Sequence, residues 1–239
     1  MGLHPSLAHL ALAAFLLSTA GCRQIETFEW DEARVLCATS IDDRNVPNLE
    51  SLRNVIEAAP QGPNVVLLYG HVPGGDMRLS TLDAVLRMGR DASVPFLTYP
   101  DMLPGQPRRA GIALSLDDES VADWFALRDR LAEFDARLTF FISNYHRMTD
   151  EEREQLHQLE AEGHAIEYHG THHVFATDYV EEHGLDAYMA DEFWPDLERM
   201  RADGFAPTSF AYPHGDRNDV LDQALLQEMH FLRSTVDCP

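Results

Sequence analysis

Carboxylates and imidazoles stand at four places in this chain where a short apolar run ends. Gly111 to Leu116 runs into Asp117-Asp118, and His164 to Tyr168 runs into His169, with His173 four positions on. Thr208 to Tyr212 is followed by Pro213-His214-Gly215, and Val65 to Tyr69 by Gly70-His71. One Asp and two His form a suitable ligand set for Zn²⁺ or a similar ion, with coordination positions left for water and substrate. Each feature also has an ordinary explanation. An Asp pair after a strand serves as a turn or helix cap, and His-x-x-x-His occurs on many surfaces. Four such ends in one chain favour a shared site.

The elements that must position these groups follow from the apolar pattern. Apolar strands are expected at 35–38, 65–69, 95–99, 111–116, 137–142, 164–168, 208–212 and near Phe231. Amphipathic stretches predict helices at 49–59, 80–89, 121–134, 150–162, 187–203 and 220–228. Such alternation makes βα units around a parallel sheet, and seven or eight strands favour a (β/α) barrel over an open sheet. In a barrel, functional groups gather where strands end and loops begin.

Composition narrows the function classes. The formal charge is −22, and all 18 basic residues are Arg. That surface repels nucleic acid and presents no basic face to anionic lipid. The apolar run Leu7 to Leu17 is too short to span a bilayer and closes on Ser18-Thr19-Ala20-Gly21-Cys22. It reads as a lipoprotein-type export signal over residues 1–21, with Cys22 lipidated at the start of a single domain, 22–239. The expected location is a membrane-anchored lipoprotein of the periplasm or cell surface, or otherwise a secreted protein. Contact with a membrane is expected only through the lipid on Cys22. Cys37 and Cys238 could form a staple in an oxidising compartment.

Four segments carry a resemblance. Gly111-Ile-Ala-Leu-Ser-Leu-Asp-Asp118 resembles the first motif of the NodB-homology polysaccharide deacetylases (carbohydrate esterase family 4). Leu138 to Ile142 is similar to the family's next strand, and Gly163-His-Ala-Ile-Glu-Tyr-His-Gly-Thr-His-His173 to its second motif, in register. Phe210-Ala-Tyr-Pro-His-Gly215 resembles the third. The resemblance implies a distorted (β/α) barrel of about seven strands and a metal-dependent hydrolase that removes N-acetyl groups from an acetylated polysaccharide. It implies one divalent ion, Zn²⁺ with Co²⁺ or Ni²⁺ as alternatives, on Asp118, His169 and His173. Asp117 would be the general base, the His214 backbone N–H an oxyanion donor, and the protein a monomer. The same fold also serves a glycan-binding protein with weakened catalysis, an O-acetyl esterase or another amide hydrolase.

The family's general acid is a histidine on a strand near its C-terminus, yet this chain ends 24 residues after Gly215. Asn64 to His71, a helix, and Val94 to Tyr99 resemble the family's last strand–helix–strand unit. A circular permutation follows as the expectation, with permuted C-terminal units at 30–110 ahead of a motif-bearing core at 111–239, and with His71 as the acid. A Cys37–Cys238 bridge would then close the new break. Some positions depart from the family. Gly170 replaces Ser/Thr, Glu119 replaces Gly, and Ala211 stands where an Arg holds the catalytic Asp. Asp42 and Asp43 are the candidates for a carboxylate that tunes His71.

Overall fold

A strand with apolar side chains on both faces is stable only when both faces are covered. Val65–Gly70 is such a strand, and in the computed structural model it lies buried within a closed sheet. The structure describes residues 25–235; the expected signal segment, Cys22 and Cys238 lie outside them. Cys37 is disulfide-bonded.

In chain order the strands are β1 (Thr27–Phe28), β2 (Val35–Cys37), β3 (Thr39–Ser40), β4 (Val65–Gly70), β5 (Gly111–Asp118), β6 (Thr139–Ile142), β7 (Ala165–Tyr168), β8 (Ser209–Ala211) and β9 (Phe231–Ser234). The helices are α1 (Leu49–Ala58), α2 (Leu79–Asp91), α3 (Val121–Phe125), α4 (Arg128–Glu133), α5 (Asp150–Ala161), α6 (Ala176–His183), α7 (Leu185–Tyr188), α8 (Trp194–Ala202) and α9 (Asp219–Leu225). Neighbouring strands from β4 to β9 pair in sequence order, all parallel. The segment 35–40 closes the circle by changing partners midway, for β2 pairs β9 while β3 pairs β4. With β2 and β3 as one stave and β1 lying antiparallel outside β4, the nine strands make a seven-staved barrel. Its shortest ladder is β7–β8, with the single pair Tyr168↔Phe210, and the Glu167 carboxylate adds to it by accepting from the Thr208 and Ser209 N–H groups.

Alternation along the staves builds two cores. Leu68, Leu114, Phe140, Phe210 and Leu232 point outward to the helices. Leu67, Ala113, Phe141, Ala211 and Phe231 fill the interior. Residues of the interior parity continue upward to Asp117 on β5 and Arg233 on β9, which brings two charged side chains into the barrel.

Three expectations need correction. Residues 95–99 form no strand, for only Phe96 bridges to Ile112 before a 3₁₀ turn at Tyr99–Met102. β4 already pairs with β5 along its whole length, so no stave position is free. β6 covers only Ser115 to Asp118, and the 95–97 segment fills the open edge beside the lower half of β5. The expected helix 121–134 is broken into α3 and α4. The expected helix 187–203 begins two residues earlier and carries a π-turn, Met189–Phe193. No helix among the described residues is long and apolar enough to cross a membrane.

Candidate metal centre and active site

The upper ends of β4, β5, β7 and β8 deliver the side chains singled out from the sequence to one place. Asp118 is the last residue of β5, and its Oδ1 lies 3.0 Å from His173 Nε2 and 3.4 Å from His169 Nε2. The three ligand atoms lie within 4.8 Å of one another. Bond lengths near 2.0–2.1 Å put the ligands of a tetrahedral ion about 3.3 Å apart, so the donor set fits a small divalent cation. His169 is further prepared for this role. Its Nδ1 is 2.8 Å from the Ala211 carbonyl oxygen, which fixes the ring and leaves Nε2 for a metal. Burial opposes ionisation of Asp118, but the neighbouring His169 and His173 imidazoles hold its carboxyl well below the usual range.

The backbone is strained where these groups sit. Seven described residues other than Gly have positive φ, and three are Asp118 (90°), His173 (57°) and His214 (59°). Left-handed backbone in such residues costs on the order of 1–3 kcal/mol each and persists where surrounding structure enforces it. Here it turns consecutive groups into one cavity of about 200 Å³, lined by His71, Asp117, His169, His173, His214 and Arg233 among others. Another cavity, about 340 Å³, lies at the opposite end of the barrel around Trp30, Met102 and Phe231. No cluster of metal ligands occurs there among the described residues.

Asp117 is buried beneath the Asp118–His169–His173 group. Its Oδ2 accepts a hydrogen bond from the Arg233 guanidinium, and both residues are about 1% exposed. Asp117 Oδ1 has no hydrogen-bond partner among the described residues. Arg233 also faces the rings of Tyr69 and Phe141, at 4.9 and 5.3 Å. This arginine escaped the sequence reading, although a lone Arg in an apolar strand signals a buried acidic partner. Ala211, where the resemblance expects an Arg, is the register partner of Arg233 on the adjoining strand. The guanidinium therefore reaches Asp117 from the next stave.

His71 follows β4 and is held on three sides. Its Nδ1 is 2.6 Å from Asp42 Oδ2, its N–H donates to Asp42 Oδ1, and its carbonyl accepts from Trp124 Nε1. Burial works against its charged form. The Asp42 hydrogen bond and the charges of Asp117, Asp42 and Asp118 outweigh that and push its pKa up to about 9. Of the two candidate partners Asp42 is the one engaged, while Asp43 pairs with Arg78 at the surface. His214 stacks on Phe175, with centroids 3.9 Å apart, and meets His173 edge-on. Burial and the charge of His173 lower its pKa.

Two departures from the family pattern have local explanations. Gly170 adopts φ +89°, which a Ser or Thr would hold only with strain, and a Cβ there would touch Pro213. The bracing hydroxyl comes from Thr171 instead, whose Oγ1 bonds Tyr168 Oη and accepts from the Asp196 N–H. Glu119 needs no special backbone, because the left-handed residue is Asp118.

Residues 105–230 match the family described as polysaccharide deacetylase. No curated protein matches the chain significantly. Among solved structures, IcaB from Ammonifex degensii is similar at 18% identity and a TM-score of 0.56, over 71% of this chain and 82% of that one. The deacetylase PplD of Streptococcus pyogenes, solved with acetate, is similar at 16% identity and a TM-score of 0.50. That likeness covers 61% of this chain and 66% of PplD, slightly under two thirds of its length. At such identities these structures share the fold of the chain, a nearly closed barrel with helices.

Proposed function

The chain belongs to the polysaccharide deacetylase family, and from that premise we propose that it removes N-acetyl groups from an extracellular or cell-envelope polysaccharide by metal-assisted hydrolysis. One observation carries the reading. Asp117 is anchored through Oδ2 while its Oδ1 stays unpartnered, in a cavity shared with His71, His169 and His173. When bound at Asp118, His169 and His173, a divalent ion would activate water and polarise the acetyl carbonyl. Asp117 Oδ1 takes the proton of the attacking water. The His214 backbone N–H faces the oxygen on which negative charge develops. His71 donates a proton to the amide nitrogen as the C–N bond breaks, releasing acetate and a free amine.

A glycan-binding protein with lost chemistry would be favoured if nothing replaced the family's side chains at Ala211 and Gly170. Arg233 and Thr171 provide the two contacts that those positions lack. The circular permutation stays part of the proposal. The family match begins at residue 105, while β2 to β4 complete the barrel and bring His71 to the site. Export with a lipid on Cys22 is proposed from residues 1–22 alone.

Acetate release from a panel of acetylated glycans, with defined metals, tests the reading. Chelation is expected to abolish release, and Zn²⁺, Co²⁺ or Ni²⁺ to restore it. Full activity after exhaustive chelation would refute the metal role. Release from acetylated xylan but not from N-acetylglucosamine oligomers would move the assignment to an O-acetyl esterase.

The acid role of His71 predicts a pH dependence. With a pKa of about 9 the imidazolium persists through neutral pH, and activity falls as pH rises through that value. Asp42→Asn removes the hydrogen bond that raises it. The basic limb of kcat/KM is expected to move down by about 1–3 pH units, the range one adjacent opposite charge produces. An unmoved limb would show that another group sets it.

A further inference from the structure

A second pair of histidines lies beside the centre and takes no part in it. His146 Nδ1 is 2.8 Å from Asp196 Oδ2, and the His146 backbone N–H donates to the same oxygen at 3.1 Å. His172 repeats the arrangement on Glu192, with Nδ1 2.8 Å from Oε1 and the backbone N–H donating to Oε2 at 3.0 Å. Each histidine is thus held at two points, ring Nδ1 and backbone N–H, by one buried carboxylate. The two carboxylates are spaced i, i+4 on one helical run, Glu192 within the π-turn and Asp196 in the first turn of α8. Turns of this kind frequently mark functional sites. The Glu192 carbonyl, accepting from Tyr168 Oη and the Thr171 N–H, ties the run to the loop that carries His172.

A carboxylate at Nδ1 fixes the proton there and leaves the Nε2 lone pair outward, the condition in which histidines ligate metals. Neither Nε2 makes a hydrogen bond to another described residue. The two rings also lie about as close together as the pair in the centre. Their centroids are 5.1 Å apart at 62°, against 5.0 Å and 70° for His169 and His173. Half-exposure of His172 leaves access for an ion and its waters.

From this geometry we infer that His146 and His172 form a second cation site, for an imidazole-preferring divalent ion such as Zn²⁺, Ni²⁺ or Cu²⁺. Glu192 and Asp196 orient the ligands from behind, and water completes the coordination. Two protein ligands instead of three make it the weaker of the two sites. The inference does not depend on the deacetylation reading, since it concerns binding alone.

Equilibrium dialysis of the full chain against Ni²⁺, with metal counted by mass spectrometry, tests it. Wild type is expected to hold two equivalents, and H146Q and H172Q one each. H169Q is expected to keep the weaker equivalent, and with Cu²⁺ its paramagnetic resonance spectrum shows two nitrogen ligands. Glu192→Gln is expected to weaken that equivalent by roughly 10–100-fold, as loss of an orienting partner does. Circular dichroism checks each fold. Should H146Q not fold, H172Q, whose ring is half-exposed, decides. A single equivalent in wild type, or a full second equivalent in folded H172Q, overturns the inference.

Discussion

Asp117→Asn is expected to lower kcat for acetate release by on the order of 10²–10⁴-fold, the usual contribution of a positioned general base, while the bound metal remains. The substitution is nearly isosteric, and the Asn side-chain oxygen still accepts from Arg233. What disappears is the basicity of the unpartnered Oδ1. Metal retention is expected because Asp118, His169 and His173 make up the ligand group without Asp117. Asp118→Asn gives the contrasting result. It removes the anionic ligand, so metal content and activity fall together. Measuring kcat, KM and metal per chain on both variants separates base from ligand. An Asp117→Asn protein with full metal and full activity would remove Asp117 from the mechanism.

What is legible in the sequence is what is local. Asp117-Asp118 and His169 to His173 are short, ungapped segments at strand ends, and the barrel rule alone brings them to one rim. His71 lies 46 residues before Asp117 in the chain. The parallel pairing of β4 with β5 makes the two neighbours, and the order of strands already implied it. Arg233 was harder to see. Its meaning rests on the register Ala211↔Arg233 between β8 and β9, and no local pattern fixes which residue of one strand faces which of the next. The strand expected at 95–99 failed for a similar reason. Pro95 to Tyr99 has the composition of a stave, but the closed sheet has no position for it. Propensity does not count places. The π-turn at 189–193 is likewise hard to read from an amphipathic pattern, because Met189 keeps a helical i, i+4 spacing to Phe193 while the buried residue before the turn is Tyr188, five positions away.

The register between β8 and β9 makes the second large prediction. Arg233→Met is expected to destabilise the protein by about 3–5 kcal/mol, the cost of leaving one member of a buried ion pair uncompensated. Asp117 is the charge left behind, inside a barrel whose neighbouring side chains include Tyr69 and Phe141. Urea denaturation measures the effect. The double variant Asp117→Asn/Arg233→Met removes both charges and is expected to recover much of the loss, giving a large coupling energy between two residues 116 positions apart. Activity should also fall in the single variant, because an unanchored carboxylate loses its orientation to the attacking water. The sharper test moves the guanidinium between staves. Ala211 and Arg233 are register partners on neighbouring parallel strands, so their side chains leave the sheet on the same side, toward the interior. Ala211→Arg combined with Arg233→Ala places the cation where the family pattern expects it and vacates the volume it now fills. Partial return of both stability and kcat, relative to Arg233→Ala, is the expected outcome. Stability without kcat would mean that the pair serves the fold alone. Failure of both would show that only β9 can present the cation to Asp117, and that Ala211 is not an equivalent position.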